Sequence, residues 1–173
     1  MATGLRRGLD MKPSPASVAH HEASHAVYWW WWVNQPGGYD DYTHGGFEYI
    51  ELTPDHGEHL GQFDPGGGVA NIGDRRASEH FCGMALAGPV SDEMRGERTN
   101  QRIDLRMARA WARQFLGDEG DEPYLATIRA DVRAFLQRSE VVAMVEGLAS
   151  ALVDRGGLSF EEATEIMSSA RPN

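Results

Sequence analysis

The sequence predicts a mainly α-helical α+β fold in one domain. Residues 15–33 form an unbroken helical pattern, residues 47–52 nearly alternate in polarity as a strand does, and the second half of the chain reads as successive helices. With 173 residues, 41% of them apolar, the chain can bury one good core. We therefore expect a single domain over residues 14–173, preceded by a partly disordered N-terminus over residues 1–13.

The first predicted helix covers residues 15–33. Ser14 followed by Pro15 is typical of an N-cap and a first helical position, and the next breaker is Asn-Gln-Pro-Gly-Gly at 34–38. One stripe of this helix consists of His21, His25, Tyr28 and Trp32. A second stripe, suited to close packing on another helix, consists of Ala19, Ala23, Ala26, Val27 and Trp30. Trp31 falls on the remaining side, where we expect it to be exposed.

The rest of the chain predicts a small β element followed by helices. Residues 47–52 and, more weakly, 59–63 read as strands, and the glycine-rich residues 64–73 as a mobile loop. A helix from the N-cap Asp74 toward residue 94 should be bent or interrupted at Pro89. Further helices, which would form a C-terminal helical bundle, are predicted at 104–116, 124–137, 141–153 and 160–168.

Composition narrows the classes of protein and partner. The net charge of −10 argues against nucleic acid and anionic membrane surfaces as partners. The longest apolar run, residues 26–33, is far shorter than the roughly 20 residues of a membrane span. Cys82 is the only cysteine, which excludes an intramolecular disulfide and fits a reducing compartment. We expect a soluble, cytoplasmic protein.

A metal-binding motif lies in the first helix, where His21, Glu22 and His25 form an H-E-x-x-H sequence. Because a helix turns about 100° per residue, the two histidines project from one face with the glutamate beside them. Two neutral imidazoles suit zinc, and the carboxylate lies where it could take a proton from a bound water. The alternative is a helix that merely carries histidines, and the helical context argues against it. The sequence therefore predicts a zincin-like helix with half of a zinc site.

A catalytic zinc site needs a third protein ligand. The extended motif that would supply one directly after residue 25 is absent, so the ligand must come from elsewhere. Spacing alone does not choose among the candidates, although acids on a rigid helix are better placed than histidines in glycine-rich loops. The candidates by residue type are His44, His56, His59, His80, Asp92, Glu93 and Asp104.

Three segments carry a family resemblance. Residues 18–27, Val-Ala-His-His-Glu-Ala-Ser-His-Ala-Val, resemble the H-E-A-G-H-A opening of the peptidase domain of FtsH-type ATP-dependent zinc metalloproteases. Residues 86–94 are similar to that family's L-G-G-R-A-A-E-E-L segment, and residues 96–108 to its G-E…N-D-L-x-x-A stretch. The resemblance implies His21, His25 and Asp104 as zinc ligands. It continues more weakly to about residue 167.

The resemblance also implies an activity. The chain would be a zinc metalloendopeptidase in which Glu22 acts as general base on peptides or unfolded polypeptides. An edge strand would hold the extended substrate, and the aligned residues are His59, Leu60, Gly61 and Gln62. An ordinary β-hairpin strand is the competing interpretation of this segment.

The sequence departs from the family in ways that bear on its partners. Serine and proline stand at positions 24 and 89, where the family has glycine and arginine, but no ligand is lost. No G-x-x-x-x-G-K-[ST] motif occurs and Lys12 is the only lysine, so these residues hold no ATPase and any motor would be a separate chain. The family forms ring oligomers, and the Trp29–Trp32 run predicts a homo-oligomer with Trp31 at the contact. A zinc-bearing binding module without proteolysis is the alternative function.

Overall fold

The computed structural model describes residues 13–34, 49–52, 62–64, 75–97, 99–117 and 120–170. The predicted disordered N-terminus, residues 1–13, and the predicted mobile loop, residues 64–73, lie outside the described residues except for residues 13 and 64. The helices are α1 Pro15–Val33, α2 Arg75–Arg95, α3 Arg102–Leu116, α4 Asp121–Leu136, α5 Ser139–Arg155 and α6 Phe160–Ser169. The strands are β1 Tyr49–Glu51, β2 Gln62–Asp64 and β3 Gly157–Ser159. The predicted α+β, mainly helical class is confirmed.

Helix α1 has the predicted bounds and the predicted cap. The Ser14 hydroxyl oxygen accepts a hydrogen bond from the Ser17 backbone N–H at 3.1 Å, and Pro15 opens the helix. Every residue from 21 to 30 is buried, because α1 packs against both α2 and α5. The prediction that Trp31 is exposed was wrong. Its ring is half-buried, with Phe135 at 5.6 Å between centroids and the Arg138 guanidinium carbon 5.9 Å from its centroid.

Helix α2 runs through Pro89 without the predicted interruption. Proline lacks an N–H, so the Ala85 carbonyl loses its usual helical donor, and a proline inside a helix costs about 3 kcal/mol or more. The surrounding structure outweighs this cost, since α1, α3 and α4 all pack on α2 and every residue from 80 to 92 is buried. Tertiary packing therefore keeps α2 continuous past its proline.

The three described strands form one antiparallel sheet in the order β2-β1-β3. Ile50 pairs with Phe63 on one side and with Leu158 on the other. Strand β3 was not predicted. It is three residues long and lies directly between two helices, so only its pairing with β1 makes it a strand. The buried side chains of Ile50 and Leu158 attach the sheet to the helical core.

The C-terminal helices are longer than predicted at several ends, and their boundaries have clear causes. Gly117 after α3 and Gly156 after α5 have φ values of 66° and 79°, which glycine adopts without the strain of a Cβ atom. Ser159 and Glu162 form a capping box at the start of α6. Within the described residues, no helix combines the length and apolar character needed to cross a bilayer.

Candidate metal centre

The two histidines of the motif lie where α1 faces α2, and both are buried, with 4% and 5% of their surface exposed. The first turn of α3 brings Asp104 to the same point. The His21 Nε2 atom lies 3.1 Å from the Asp104 Oδ2 atom, and the His25 Nε2 atom lies 3.7 Å from Oδ1. The two Nε2 atoms are 3.1 Å apart. One nitrogen from each imidazole and one carboxylate thus converge on a single point.

The spacing of these atoms suits a small divalent ion. Ligand atoms held at about 2.0–2.1 Å around a tetrahedral ion lie about 3.3 Å from one another. The three separations among the histidine nitrogens and the Asp104 oxygens, 3.1, 3.1 and 3.7 Å, lie on either side of that value. Two imidazoles and one carboxylate are also a donor set that catalytic zinc uses, with a fourth position left for water. The His21, His25 and Asp104 group can therefore hold a metal ion.

A second set of hydrogen bonds orients both imidazoles. The His21 Nδ1 atom donates to the Asp92 Oδ2 atom of α2 at 3.0 Å, and the His25 Nδ1 atom donates to the Met84 carbonyl at 2.6 Å. Each ring therefore has a proton on Nδ1, and its Nε2 atom faces Asp104. This is the arrangement in which outer partners set the tautomer and direction of metal-binding histidines.

Asp92 is itself held firmly. Its Oδ2 atom accepts hydrogen bonds from the Thr99 hydroxyl at 2.5 Å and from the Gln101 side-chain amide at 2.9 Å. Although burial raises the pKa of Asp92, the hydrogen bonds from His21, Thr99 and Gln101 lower it overall. The segment before α3 is thus tied to the same carboxylate that orients His21, which couples the position of Asp104 to that of the histidine.

Gly88 leaves room for an ion between the histidines. A Cβ atom at this position of α2 would lie 2.5 Å from both His21 Nε2 and His25 Nε2. A point at almost equal and short distance from two imidazole nitrogens is close to where a shared metal would be, so any side chain here would compete with the ion for the same space. The missing side chain of Gly88 is therefore part of the centre.

Electrostatics assign the proton in the metal-free centre. Burial lowers the pKa of His21, but hydrogen bonds to Asp104 and Asp92 outweigh this and raise the pKa well above its usual range. Burial lowers the pKa of His25, and the neighbouring His21 lowers it further. The charge thus resides on His21, paired with Asp104. A cation that takes up the Nε2 atoms has to displace this proton.

Glu22 follows His21 on α1. It is buried, with 8% of its surface exposed, and its negative charge helps to raise the pKa of His21. A buried carboxylate beside a metal centre is the group that hydrolytic metalloenzymes use for proton transfer. The general-base role of Glu22 stays a prediction.

Other predicted site residues lie elsewhere. His80 packs in an aromatic cluster with Trp29 and Phe81, and Glu93 contacts Arg129 and Arg133 at the surface. His44, His56 and His59, like the predicted substrate residues Leu60 and Gly61, lie outside the described residues. Gln62 begins β2, which has β1 on one side and, in the described part of the chain, no strand on the other.

Sequence reasoning missed the supporting contacts of the centre. Asp92 was considered as a ligand but forms a hydrogen bond with His21, and Thr99, Gln101 and Met84 were not considered at all. The signal available for Gly88 was that a glycine lies within the segment that resembles a metalloprotease motif.

Comparison with models of known protein families and with curated proteins gives no match, so the relationship suggested by the motifs rests on the residues themselves.

Proposed function

We propose that this protein is a zinc-dependent metalloendopeptidase that hydrolyses flexible or unfolded polypeptides. The observation that carries the proposal is the convergence of His21, His25 and Asp104, with the buried Glu22 next to the first ligand on the same helix. A metal centre with a structural role alone has no need for that carboxylate. Two nitrogens and one oxygen leave a coordination position for water, as hydrolytic zinc sites do.

Several residues of the chain would have distinct roles in hydrolysis. A zinc ion bound there would lower the pKa of a coordinated water toward about 7 and polarise the peptide carbonyl. The Glu22 carboxylate would accept the proton of the attacking water and return it to the leaving amine. Asp92 and the Met84 carbonyl would keep the imidazole Nε2 atoms aimed at the centre throughout.

The resemblance to FtsH-type peptidase domains supports this proposal. The ligand set implied by that resemblance is the set whose atoms lie together. Two of the matching segments lie on α1 and α2, and the third ends in the first half of α3. Since these 173 residues contain no phosphate-binding loop, we propose flexible or unfolded chains as substrates. The family's ring assembly leads us to propose a homo-oligomer. The single cysteine fits a reducing compartment, and we propose a cytoplasmic location.

Cleavage of an unfolded reporter protein tests the proposal. The wild type with about one equivalent of zinc should cleave it, a chelator should stop cleavage, and Glu22→Gln should reduce the rate at least about a hundredfold while keeping zinc. Glu165→Gln is the matched control, because Glu165 is an exposed glutamate of α6. Equal cleavage by the wild type and Glu22→Gln would remove Glu22 from the mechanism.

The same experiment separates the alternative function. A wild type that binds zinc but cleaves none of several unfolded substrates would favour a zinc-bearing binding module. Strand β2 supports that alternative, since its outer edge has no partner strand among the described residues and is able to pair with an extended peptide.

A further inference from the structure

One face of α3 carries a row of four exposed arginines, spaced at helical intervals of four, three and four residues. This arginine face is about 16 Å long at 1.5 Å per residue. It lies on the side of α3 away from Asp104, and with Leu105 and Ala110 it lines a shallow groove of about 480 Å³. The four residues are Arg102, Arg106, Arg109 and Arg113.

The C-terminal half of the arginine face binds carboxylates of the same chain. The Arg113 Nε atom lies 3.0 Å from the Asp121 Oδ2 atom, and the Arg109 Nη2 atom lies 3.0 Å from the Glu122 Oε1 atom. Both acids belong to the first turn of α4. The face thus already contains two examples of the partner that its geometry accepts.

The N-terminal half makes no such pair among the described residues. Arg102 and Arg106 are exposed, and no carboxylate of the described residues lies within ion-pair distance of either. Two other exposed arginines do have an acidic partner. Arg75 pairs with Glu79, and Arg155 pairs with Glu162. Arg102 and Arg106 thus differ from these two arginines in having no acidic partner among the described residues.

Arg102 and Arg106 also act against the stability of α3. A helix N-terminus is the positive end of its dipole, so a cation at the first helical position is unfavourable. Like charges four residues apart repel each other, and no described acid forms an ion pair with either arginine. A local electrostatic cost of this kind is a sign of a binding surface. A bound carboxylate would relieve both effects at once.

We propose that the arginine face binds an acidic segment of another polypeptide, with Arg102 and Arg106 as its main contacts. Planar guanidinium groups pair with carboxylates in two-point geometry. The side chains of Leu105 and Ala110 give the groove an apolar floor for the aliphatic parts of such a segment. Nucleic acid is disfavoured, because the overall negative charge repels a long polyanion. This surface is independent of the metal centre.

Fluorescence anisotropy of the full chain tests the proposal. The probe is a labelled peptide of about ten residues rich in Asp and Glu, and its reference is the same peptide with Asn and Gln. We expect the acidic peptide alone to bind, more weakly as salt rises. Arg102→Ser with Arg106→Ser should weaken binding at least about fivefold, the effect of losing two exposed ion pairs. Zinc content should not change.

A matched control keeps the net charge of the double variant. Arg75→Ser with Arg155→Ser removes two exposed arginines elsewhere and should leave affinity within about twofold. Reversal to Glu at positions 102 and 106 should abolish binding of the acidic peptide. Equal binding of the amide peptide, equal loss in the control pair, or tighter binding of a single-stranded oligonucleotide would overturn the proposal.

Discussion

Replacing Gly88 by alanine tests whether the metal centre needs the space that this glycine leaves, because the substitution keeps every ligand. The added Cβ atom would lie 2.5 Å from the Nε2 atoms of His21 and His25, whereas non-bonded heavy atoms normally stay about 3.5 Å apart. Each imidazole would therefore have to retreat by about 1 Å, or α2 would have to shift away from α1. Metal sites tolerate changes of only about 0.2 Å in ligand distance. We expect Gly88→Ala to lose most of its zinc although every ligand is still present.

The fold should survive this substitution. Alanine in place of glycine inside a helix stabilises it by about 1 kcal/mol, and overpacking in a core costs about 1–3 kcal/mol. The net loss of about 2 kcal/mol or less is small against the roughly 5–15 kcal/mol that keep a domain folded. The helical circular dichroism of the metal-free variant should match that of the metal-free wild type.

Zinc stoichiometry by elemental analysis, with the zinc-induced rise in Tm, measures the effect. Gly147→Ala is the control, because its Cβ atom would meet only Ile166 Cγ2, at 3.1 Å, and no atom of His21, His25 or Asp104. Gly88→Ala with about one zinc per chain and the wild-type rise in Tm would refute the argument. A wild type without zinc would instead refute the metal proposal itself.

Three further substitutions test other parts of the structure. Asp104→Ala should lose most of its zinc because two imidazoles leave the site under-coordinated, and full occupancy by elemental analysis would exclude Asp104 as a ligand. Burial lowers the pKa of His80 to about 4 from 6.5, so the stability gained from its neutral ring is present above about pH 6.5 and is lost as pH falls toward 4. Between about pH 7 and pH 5, the free energy of unfolding of the wild type, measured with urea, should therefore fall by about 2 kcal/mol more than that of His80→Phe. Equal decreases in the two proteins would contradict the assigned pKa. Trp31→Ser should destabilise the fold by about 2 kcal/mol through lost contacts with Phe135 and Arg138, whereas a smaller particle by light scattering would place Trp31 at a self-contact.

Local signals in the sequence were sufficient for the helices. Ser14 and Pro15 mark the start of α1, and its predicted bounds agree with the structure because cap and breaker act within a few residues. Pro89 shows the limit of such rules, since the local prediction of a break was overridden by helices packed around α2. Strand β3 has no local signal at all and exists only through its pairing with β1.

The metal centre, too, could be predicted from the sequence only in part. His21 and His25 were predictable because both lie on one helix at a fixed spacing. Asp104 came from a resemblance, since residue type and spacing left seven candidates. Gly88 and Asp92 depend on how closely α2 approaches α1, a distance that no local pattern encodes.

The pairing of β1 with β3 has a consequence for the order of folding. Ile50 and Leu158 are neighbours in the sheet, yet the helices from α2 to α5 separate them along the chain. Closing so long a loop costs entropy that local contacts do not, so the helices should associate before the sheet is complete. A Leu158→Ala variant should therefore unfold faster but refold at almost the wild-type rate, giving a φ-value near zero, and a φ-value near one would reverse this order. If the φ-value is near zero, the sheet forms late in folding, after the helices have assembled into a core.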